Sequence, residues 1–329
     1  MKKNIDVSVI IPVFNVECYL KDALISAVTQ SFSGVFEIIV INDASADGSH
    51  EICEVFNERY PDLISYVKHD SNMGVSIARN RGLSLASGKY IMFLDPDDFL
   101  TENAIQYLYD AAEHLQADVV KGNNQIFNSK KSTYASYNTD QQHVFLNGDG
   151  LTVFLTHELI RGHPWGKLFL RERFSHIQFP VGVRMAQDFS YCSKVLAQSK
   201  KLAIIDDPVY FYRLRADSST GNKYHSQAYK HWFASIEEAE SLISSPSQKI
   251  AYKQLLLRTL HQSMRECRRL EGQLACEVFH FINAKQLAWG VTAISLVKMG
   301  AVSPKSFLRF IQYKWLFYKL KSKLKPEVM

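Results

Sequence analysis

Short apolar runs alternate with amphipathic stretches along the first 122 residues of the chain. Five runs are apolar almost throughout and predict strands covered on both faces: 7–13, 36–43, 64–69, 89–95 and 117–122. Between them, apolar residues recur every three or four positions, which predicts four helices: 17–31, 48–60, 75–86 and 101–115. Thr101 is the predicted cap of the last helix. This alternation predicts an α/β fold, with a mostly parallel, doubly wound sheet flanked by helices.

The second half of the chain has a different pattern. Residues 125–150 are polar and predict a loop or irregular hairpin, whereas the sequence from 225 onward has helical periodicity. We therefore predict a domain at 1–220 and a helical C-terminal region at 221–329. That region contains a basic amphipathic segment, 303–325, in which lysine and arginine alternate with aromatic and aliphatic residues and acids are absent.

Composition narrows the class of protein. Of the 329 residues, 47% are hydrophobic and 22% are charged, as in soluble globular proteins. The five cysteines form no CxxC pair, which argues against a disulfide framework or a zinc site and favours a cytoplasmic location. No apolar run reaches the roughly eighteen residues of a transmembrane helix. The net charge of +5 reflects basic residues in an aromatic segment, so nucleic-acid binding is not expected.

Polar residues follow the predicted strands at their carboxyl ends. Asn15, Asp43, His69 and Asp95 each come where a strand stops. Because ligands of parallel α/β sheets bind beyond this edge, we expect a ligand site there.

Three carboxylates, Asp95, Asp97 and Asp98, lie in the stretch FLDPDD after the fourth strand. Clustered carboxylates repel one another unless a cation compensates their charge, and Mg²⁺ and Mn²⁺ prefer oxygen ligands. An acidic turn, in which Asp97 and Asp98 cap the helix at 101, explains the same residues. The stretch alone leaves both interpretations open.

A glycine-containing loop enters the third helix in the stretch SNMGVSIARNRG, which carries Arg79 and Arg81. Exposed backbone amides and guanidinium groups suit an anionic nucleotide. The chain has no GxGxxG motif, so a dinucleotide fold of the dehydrogenase kind loses support.

Four segments together resemble the inverting GT-A glycosyltransferases of family 2: VSVIIPVFNVECYL, EIIVINDASADGS, NMGVSIARNRGLSLASGKYIMFLDPDD and WGKLF. Their order and spacing match the family over about residues 5–220. The resemblance implies a Rossmann-like GT-A fold, a UDP-sugar donor and a divalent metal, Mn²⁺ or Mg²⁺. It also implies a carboxylate base that deprotonates the acceptor hydroxyl.

The resemblance further implies roles for individual residues. Nucleotide-sugar contacts are implied for eight of them: Pro12, Asn15, Glu17, Asp43, Asn72, Arg79, Asp95 and Arg213. Asp43 matches the acid that contacts the uracil, and Arg79 matches the arginine beside this nucleobase. Asp95 and Asp97 match the DxD motif, with Asp97 as the metal ligand and Asp95 nearer the ribose or metal-bound water. Arg213 would reach the diphosphate, with a solvated basic turn as the alternative.

The family's catalytic base usually comes from a Glu-Asp pair that opens a helix. Here the stretch reads RMAQDFSYC, with Gln187 in place of the glutamate and Asp188 as the candidate base. A carboxylate stabilised by the helix dipole is the alternative for Asp188. Trp165 and Lys167 are predicted to shape the acceptor side, with a core role as the alternative for Trp165.

These features predict a metal-dependent inverting glycosyltransferase that adds a sugar to a growing bacterial surface glycan: lipopolysaccharide core, O-antigen or capsule. The 303–325 segment would bring it to a lipid-linked acceptor by lying on the anionic cytoplasmic face of the membrane, or would pack on the catalytic domain instead. The alternative functions are a non-catalytic sugar-nucleotide-binding scaffold with the same fold and a nucleotidyltransferase.

Overall fold

A computed structural model describes most of the first 267 residues. The described residues are 4–128, 133–136, 143–146, 149–156, 159–183, 185–214, 229–267 and parts of 277–288. The predicted 303–325 segment lies outside them.

The five predicted strands and four predicted helices of residues 7–122 are present in the predicted order, and Phe99–Leu100 forms an additional strand among them. The strands are β1 (Val7–Val13), β2 (Phe36–Asn42), β3 (Ile64–Lys68), β4 (Tyr90–Phe93), β5 (Phe99–Leu100), β6 (Val119–Asn128), β7 (Thr133–Ser136), β8 (His143–Leu146), β9 (Lys167–Leu170) and β10 (Lys201–Arg213). The helices are α1 (Glu17–Val28), α2 (Ser49–Arg59), α3 (Val75–Leu85), α4 (Ala104–Leu115), α5 (Asp149–Thr156), α6 (Arg171–Phe174), α7 (Gln187–Gln198), α8 (Tyr229–Glu238) and α9 (Pro246–Cys267).

The strands form a single mixed sheet in the order β3-β2-β1-β4-β9-β6-β10-β5, with β7 on β6 and β8 on β10. β1, β2, β3 and β4 are parallel. β9 runs antiparallel to both β4 and β6, so these two strands share a direction, and β10 is parallel to β6. The carboxyl ends of six strands therefore meet at one edge of the sheet, as the polar residues at the strand ends predict.

Helices cover both faces of this sheet. One face packs against α1, α2 and α4 through residues such as Leu24 and Leu108. The other face packs against α3, α5 and α7, and the same core continues into α8 and α9 through Phe233 and Leu255. This confirms the predicted α/β architecture with a helical C-terminal region. The boundary at residue 220 stays a prediction.

Among the described residues, no helix is both long enough and apolar enough to cross a bilayer.

The segment after the acidic stretch corrects one prediction. α4 begins at Ala104 rather than at Thr101, and Thr101 does not cap it with its side chain. The Thr101 hydroxyl instead donates to the carbonyl of Pro208, at 2.7 Å. Phe99 and Leu100 form β5, which pairs antiparallel with β10. A two-residue strand has no periodicity to detect, so the sequence pattern merged it with the helix start.

Gly82 allows α3 to approach β1 closely. A Cβ atom at this position would lie 2.4 Å from Cγ2 of Ile10, which is fully buried. Glycine-to-alanine changes inside helices ordinarily stabilise them by about 1 kcal/mol. Here we expect Gly82→Ala to lower the free energy of unfolding by about 1–3 kcal/mol, because overpacking outweighs helix propensity.

Urea unfolding of the variant measures this sign. Ser84→Ala, at an exposed position of the same helix, is the matched control and should be neutral or slightly stabilising. A stabilised Gly82→Ala variant would contradict the close approach of α3 to β1.

Candidate active site

The loops that follow β1 and β2 are tied to each other by hydrogen bonds. Asn15, which has a φ of +49°, accepts a bond from the amide of Ala46 at 2.8 Å. Glu17 accepts from the amide of Gly48 at 2.6 Å, and its own amide donates to Asp47 at 3.0 Å. The loop that carries Asn15 and Glu17 is therefore built against the next strand-end loop. Both side chains remain exposed at the edge of the sheet.

Pro12 lies inside β1 rather than in this loop. It pairs in register with Ile41 of β2, and it is buried. β1 continues for one residue beyond it, to Val13, and the Pro12 ring does not face the solvent.

Asp43 orders the glycine-containing loop. Its buried carboxylate accepts bonds from the amides of Met73 and Gly74, at 2.9 and 2.7 Å, and lies 2.7 Å from Nδ1 of His69. Asn72 donates to the Asp43 carbonyl at 3.3 Å. The strand ends of β2 and β3 and the start of α3 are therefore joined at Asp43. The implied uracil contact of Asp43 stays a prediction.

Arg79 bridges two carboxylates that are far apart in sequence. Its Nη2 donates to Oδ1 of Asp95 at 2.8 Å, and its Nη1 donates to Oδ1 of Asp188 at 2.5 Å. The Arg79 side chain is only 4% exposed. Burial by itself lowers the pKa of a guanidinium, but the two carboxylates outweigh this and raise the pKa of Arg79. Arg79 therefore joins the DxD motif to the candidate base.

An aromatic cluster supports this bridge. The Arg79 guanidinium lies 5.1 Å from the centroid of the Phe179 ring, which stacks on Tyr191 of α7 at 4.0 Å. Phe93, the last residue of β4, makes edge contacts with both rings. Phe93 precedes Asp95 by two positions and Tyr191 follows Asp188 by three. The cluster thus packs α7, which carries the candidate base, against the strand that leads to the DxD motif.

Asp188 lies in the first turn of α7, and its side chain is 29% exposed. Burial raises the pKa of this carboxyl, the Asp95 charge adds to the rise, and the Arg79 charge opposes it. The buried amide oxygen of the neighbouring Gln187 has no hydrogen-bond partner among the described residues. The partner that orients Asp188 is therefore Arg79, not the residue at position 187.

The three carboxylates of the FLDPDD stretch have different environments. Asp95 is 23% exposed, whereas Asp98 is 1% exposed. Asp98 accepts bonds from the Tyr210 hydroxyl and from the Arg213 amide, both at 2.8 Å. Burial, with the charges of Asp95 and Asp97, raises the pKa of Asp98 to about 8. Asp98 is therefore bound to β10, and the interpretation that it caps the helix at 101 is wrong.

The remaining pair, Asp95 and Asp97, fits a divalent cation that is shared with a ligand. Both residues are partly exposed at the strand edge and offer the oxygen donors that Mg²⁺ and Mn²⁺ prefer. The described part of the chain has no group of three or more His, Cys, Asp or Glu side chains arranged to hold a metal. The protein would thus supply two carboxylates, and phosphate oxygens and water the other ligands.

Arg213 lies apart from the Arg79 bridge. Its guanidinium donates to Asp22 of α1 at 2.8 Å and to the backbone carbonyl of Asp97 at 2.9 Å. The side chain is 9% exposed. This position does not favour the predicted contact with a diphosphate.

Lys167 and Trp165 have structural surroundings. Trp165 stacks on Tyr210 at 4.4 Å inside the core, which favours the core role for this residue. The Lys167 amine donates to the carbonyls of Arg161 and His163, at 3.3 and 2.5 Å, and burial lowers its pKa to about 8. The sequence signal for this buried cation is a lysine in the otherwise apolar strand KLFL. The Lys167 amine holds the 161–163 segment through these two carbonyls.

Comparison with known proteins decides the family. A protein-family model described as "Glycosyl transferase family 2" matches residues 8–196, more than half of the 329-residue chain. The chain belongs to glycosyl transferase family 2. The match includes Asp43, Arg79, the DxD motif and Asp188, and it ends before Arg213.

Two curated relatives of this family 2 chain are much longer proteins. The chain is 32% identical over 232 residues to the minor teichoic acid biosynthesis protein GgaB of Bacillus subtilis. The aligned region covers 70% of this chain and 25% of GgaB. The chain spans a quarter to a third of the length of such curated relatives.

Solved structures confirm the GT-A fold of this family 2 chain. Staphylococcus aureus TarS in complex with UDP has a TM-score of 0.54 at 19% identity, over 86% of this chain and 88% of the TarS chain. The mannosyltransferase PcManGT from Pyrobaculum calidifontis, in complex with GDP-Man and Mn²⁺, has a TM-score of 0.54 at 18% identity, over 96% of this chain and 86% of the other. At these identities the likeness concerns the fold.

Removal of the Arg79 guanidinium should destabilise the candidate active site. Arg79→Met leaves Asp95 and Asp188 facing each other without compensation, so we expect the free energy of unfolding to fall by about 2 kcal/mol. This loss of stability is smaller than the loss expected when a fully buried ion pair is broken, because both carboxylates are partly exposed. Adding Asp188→Asn to Arg79→Met removes the repulsion and should recover part of the loss.

Urea unfolding of the single and double variants tests the bridge. Arg81→Met, an exposed arginine of the same helix, is the control and should change stability little. An Arg79→Met variant as stable as the Arg81→Met variant would contradict the bridging role.

Proposed function

We propose that this chain is a metal-dependent inverting glycosyltransferase that moves a sugar from a UDP-sugar to a hydroxyl group of a growing bacterial surface glycan. The observation that carries the proposal is the Arg79 bridge, which brings the DxD carboxylate Asp95 and the candidate base Asp188 to one guanidinium. A metal-binding carboxylate and a base at one edge of the sheet are the two groups that a single displacement needs.

The donor side of the site is built by the strand-end loops. Asn15, Glu17, Asp43 and Asn72 follow the ends of β1, β2 and β3, at the edge of the sheet where ligands of parallel α/β folds bind. A divalent ion on Asp95 and Asp97 would neutralise the negative charge that develops on the leaving diphosphate.

Asp188 acts on the acceptor side. It removes the proton of the acceptor hydroxyl while the hydroxyl oxygen forms a bond to the anomeric carbon. The bond from that carbon to the phosphate oxygen breaks, and its electron pair leaves with the diphosphate. The raised pKa of Asp188 makes it a stronger base than an exposed aspartate, and Arg79 holds one of its oxygens so that the other can face the acceptor.

The comparisons support the class of substrate. TarS is described in complex with UDP, and PcManGT with GDP-Man and Mn²⁺, which supports a sugar-nucleotide donor and Mn²⁺ or Mg²⁺. GgaB is described as a protein of minor teichoic acid biosynthesis, which supports a cell-surface glycan as the product. Lipopolysaccharide core, O-antigen and capsule remain the candidate glycans from the sequence.

The C-terminal segment supports a location at the membrane. Residues 303–325 combine aromatic and aliphatic residues with lysine and arginine and contain no acids. Such a segment suits an anionic lipid surface, so the proposal includes peripheral binding at the cytoplasmic face and a lipid-linked acceptor.

A panel of UDP-sugars with Mn²⁺, with and without membrane extract, tests the reaction. We expect UDP release with one donor and a fall of about 10²–10⁴-fold in turnover for Asp188→Asn, because the variant cannot accept the proton. Asp149→Asn is the matched control, since Asp149 also lies in the first turn of a helix and meets the same helix dipole.

Three outcomes would overturn the proposal. Retained turnover in Asp188→Asn would reject the base, and pyrophosphate release in place of UDP would indicate a nucleotidyltransferase. Donor binding without turnover across the panel would favour the scaffold alternative.

Vesicle sedimentation tests the membrane segment. Replacing three of its lysines by glutamine should weaken binding to phosphatidylglycerol vesicles by about a hundredfold, because each lysine near an anionic surface contributes about 1 kcal/mol. The three are Lys319, Lys321 and Lys323. Three exposed lysines elsewhere serve as the control: Lys68, Lys200 and Lys249. Equal binding to phosphatidylcholine vesicles, or no effect of the tail variant, would contradict the membrane role.

A further inference from the structure

Arg213 makes two hydrogen bonds to the carboxylate-bearing turn at residues 95–98 and a third to α1. Its backbone amide donates to Oδ1 of Asp98 at 2.8 Å, and its Nε donates to the carbonyl of Asp97 at 2.9 Å. Its Nη2 donates to Oδ2 of Asp22 on α1 at 2.8 Å. One residue at the end of β10 therefore contacts the turn twice and links it to the first helix.

Aromatic rings fix the direction of this guanidinium. The centroids of the Tyr19, Phe99 and Phe127 rings lie 5.2–5.4 Å from its central carbon. Asp22 is 59% exposed, so its ion pair with Arg213 adds little stability by itself. The contacts mainly determine where the guanidinium points.

Tyr210 ties the other end of the same turn to β10. Its hydroxyl donates to Oδ2 of Asp98 at 2.8 Å and accepts a bond from the amide of Asp95 at 3.2 Å. Both ends of the turn are thus attached to the C-terminal part of β10. Both carboxylate oxygens of Asp98 accept hydrogen bonds from β10. Asp95 and Asp97 are the carboxylates of the turn that remain partly exposed.

We propose that Arg213 is a positioning residue that fixes the Asp95–Asp98 turn in the orientation required for a divalent cation, and that it does not bind the diphosphate. This inference rests on the proposed function, because it assumes that Asp95 and Asp97 take a metal together with a nucleotide diphosphate. It replaces the role that the sequence resemblance implies for Arg213.

The physical reason is the narrow geometry of a small divalent cation. Mg²⁺ requires near-octahedral ligands at about 2.0–2.1 Å, so a carboxylate that shifts with a loosened turn is a poorer ligand. Removal of residues that orient metal ligands typically weakens metal affinity by about 10–100-fold. A diphosphate ligand, in contrast, would contribute to nucleotide affinity even without metal.

Two titrations separate these roles in the full-length protein. Electron paramagnetic resonance measures Mn²⁺ affinity with saturating UDP, and calorimetry measures UDP affinity in EDTA. For Arg213→Met we expect Mn²⁺ affinity to fall about tenfold or more while metal-free UDP affinity stays within about twofold. Asp22→Ala should lower Mn²⁺ affinity in the same direction, because it releases the guanidinium.

Arg173→Met is the matched control. Arg173 is also partly buried and contacts an aspartate, Asp118, at 3.3 Å, and it donates to the carbonyl of Gln198. Because these partners lie outside the metal-binding turn, this variant should lose stability without losing Mn²⁺ affinity. Thermal unfolding of every variant separates lost positioning from lost folding. If Arg213→Met does not fold, Arg213→Lys should show the same loss of Mn²⁺ affinity, because one ammonium cannot replace both guanidinium contacts.

The opposite pattern overturns the inference. A fall in metal-free UDP affinity with unchanged Mn²⁺ affinity in Arg213→Met would make Arg213 a diphosphate ligand, and tighter UDP binding by Asp22→Ala would agree with it. Unchanged affinities in both titrations would leave Arg213 no role in the site. A wild-type chain that binds Mn²⁺ and UDP but transfers no sugar would reject the proposed function and leave this test intact.

Discussion

A buried guanidinium between two carboxylates is the contact on which the candidate site depends. Desolvation of a cation such as Arg79 is unfavourable unless partners compensate for it, and here the partners come from the end of β4 and from the first turn of α7. Neither Asp95 nor Asp188 can move away without leaving a charge uncompensated. Under the proposed function, the bridge therefore links the metal-binding carboxylate to the base, although Arg79 and Asp188 are 109 positions apart in sequence.

The same contact leaves a negative charge for a cation to neutralise. Asp95, Asp97 and Asp188 bring three carboxylates to the edge of the sheet, and Arg79 compensates for one. Asp98 adds little to this charge, because burial raises its pKa to about 8. The turn thus separates its carboxylates by environment: the buried one holds the backbone and the partly exposed ones remain for an ion.

Strands β1–β4 and β6, helices α1–α4 and the loops at their strand ends were predictable, because long apolar runs and periodic stretches have strong local signals. The two-residue strand β5 was not, because it is too short to have a periodicity. Individual side-chain directions were not. The sequence resemblance matches Arg79 to an arginine beside the nucleobase of the donor. In the structure its side chain is buried and contacts the Phe179 ring and two carboxylates. A motif gives the position of a residue along a helix, whereas its partner depends on contacts across the sheet. The role of Arg213 likewise depends on Asp22, which is 191 positions away.

These distances in sequence also suggest how the site divides its tasks. The loops that are proposed to contact the nucleotide are joined by hydrogen bonds within residues 15–74, in which the amides of Ala46 and Gly74 donate to Asn15 and Asp43. The candidate base Asp188 lies on α7, whose Tyr191 packs against Phe93 and Phe179. Residues after α7 can therefore change without disturbing these loops, as long as the aromatic cluster and Arg79 keep Asp188 in place. Under the proposed function, such changes would alter the acceptor surface and leave the donor side intact.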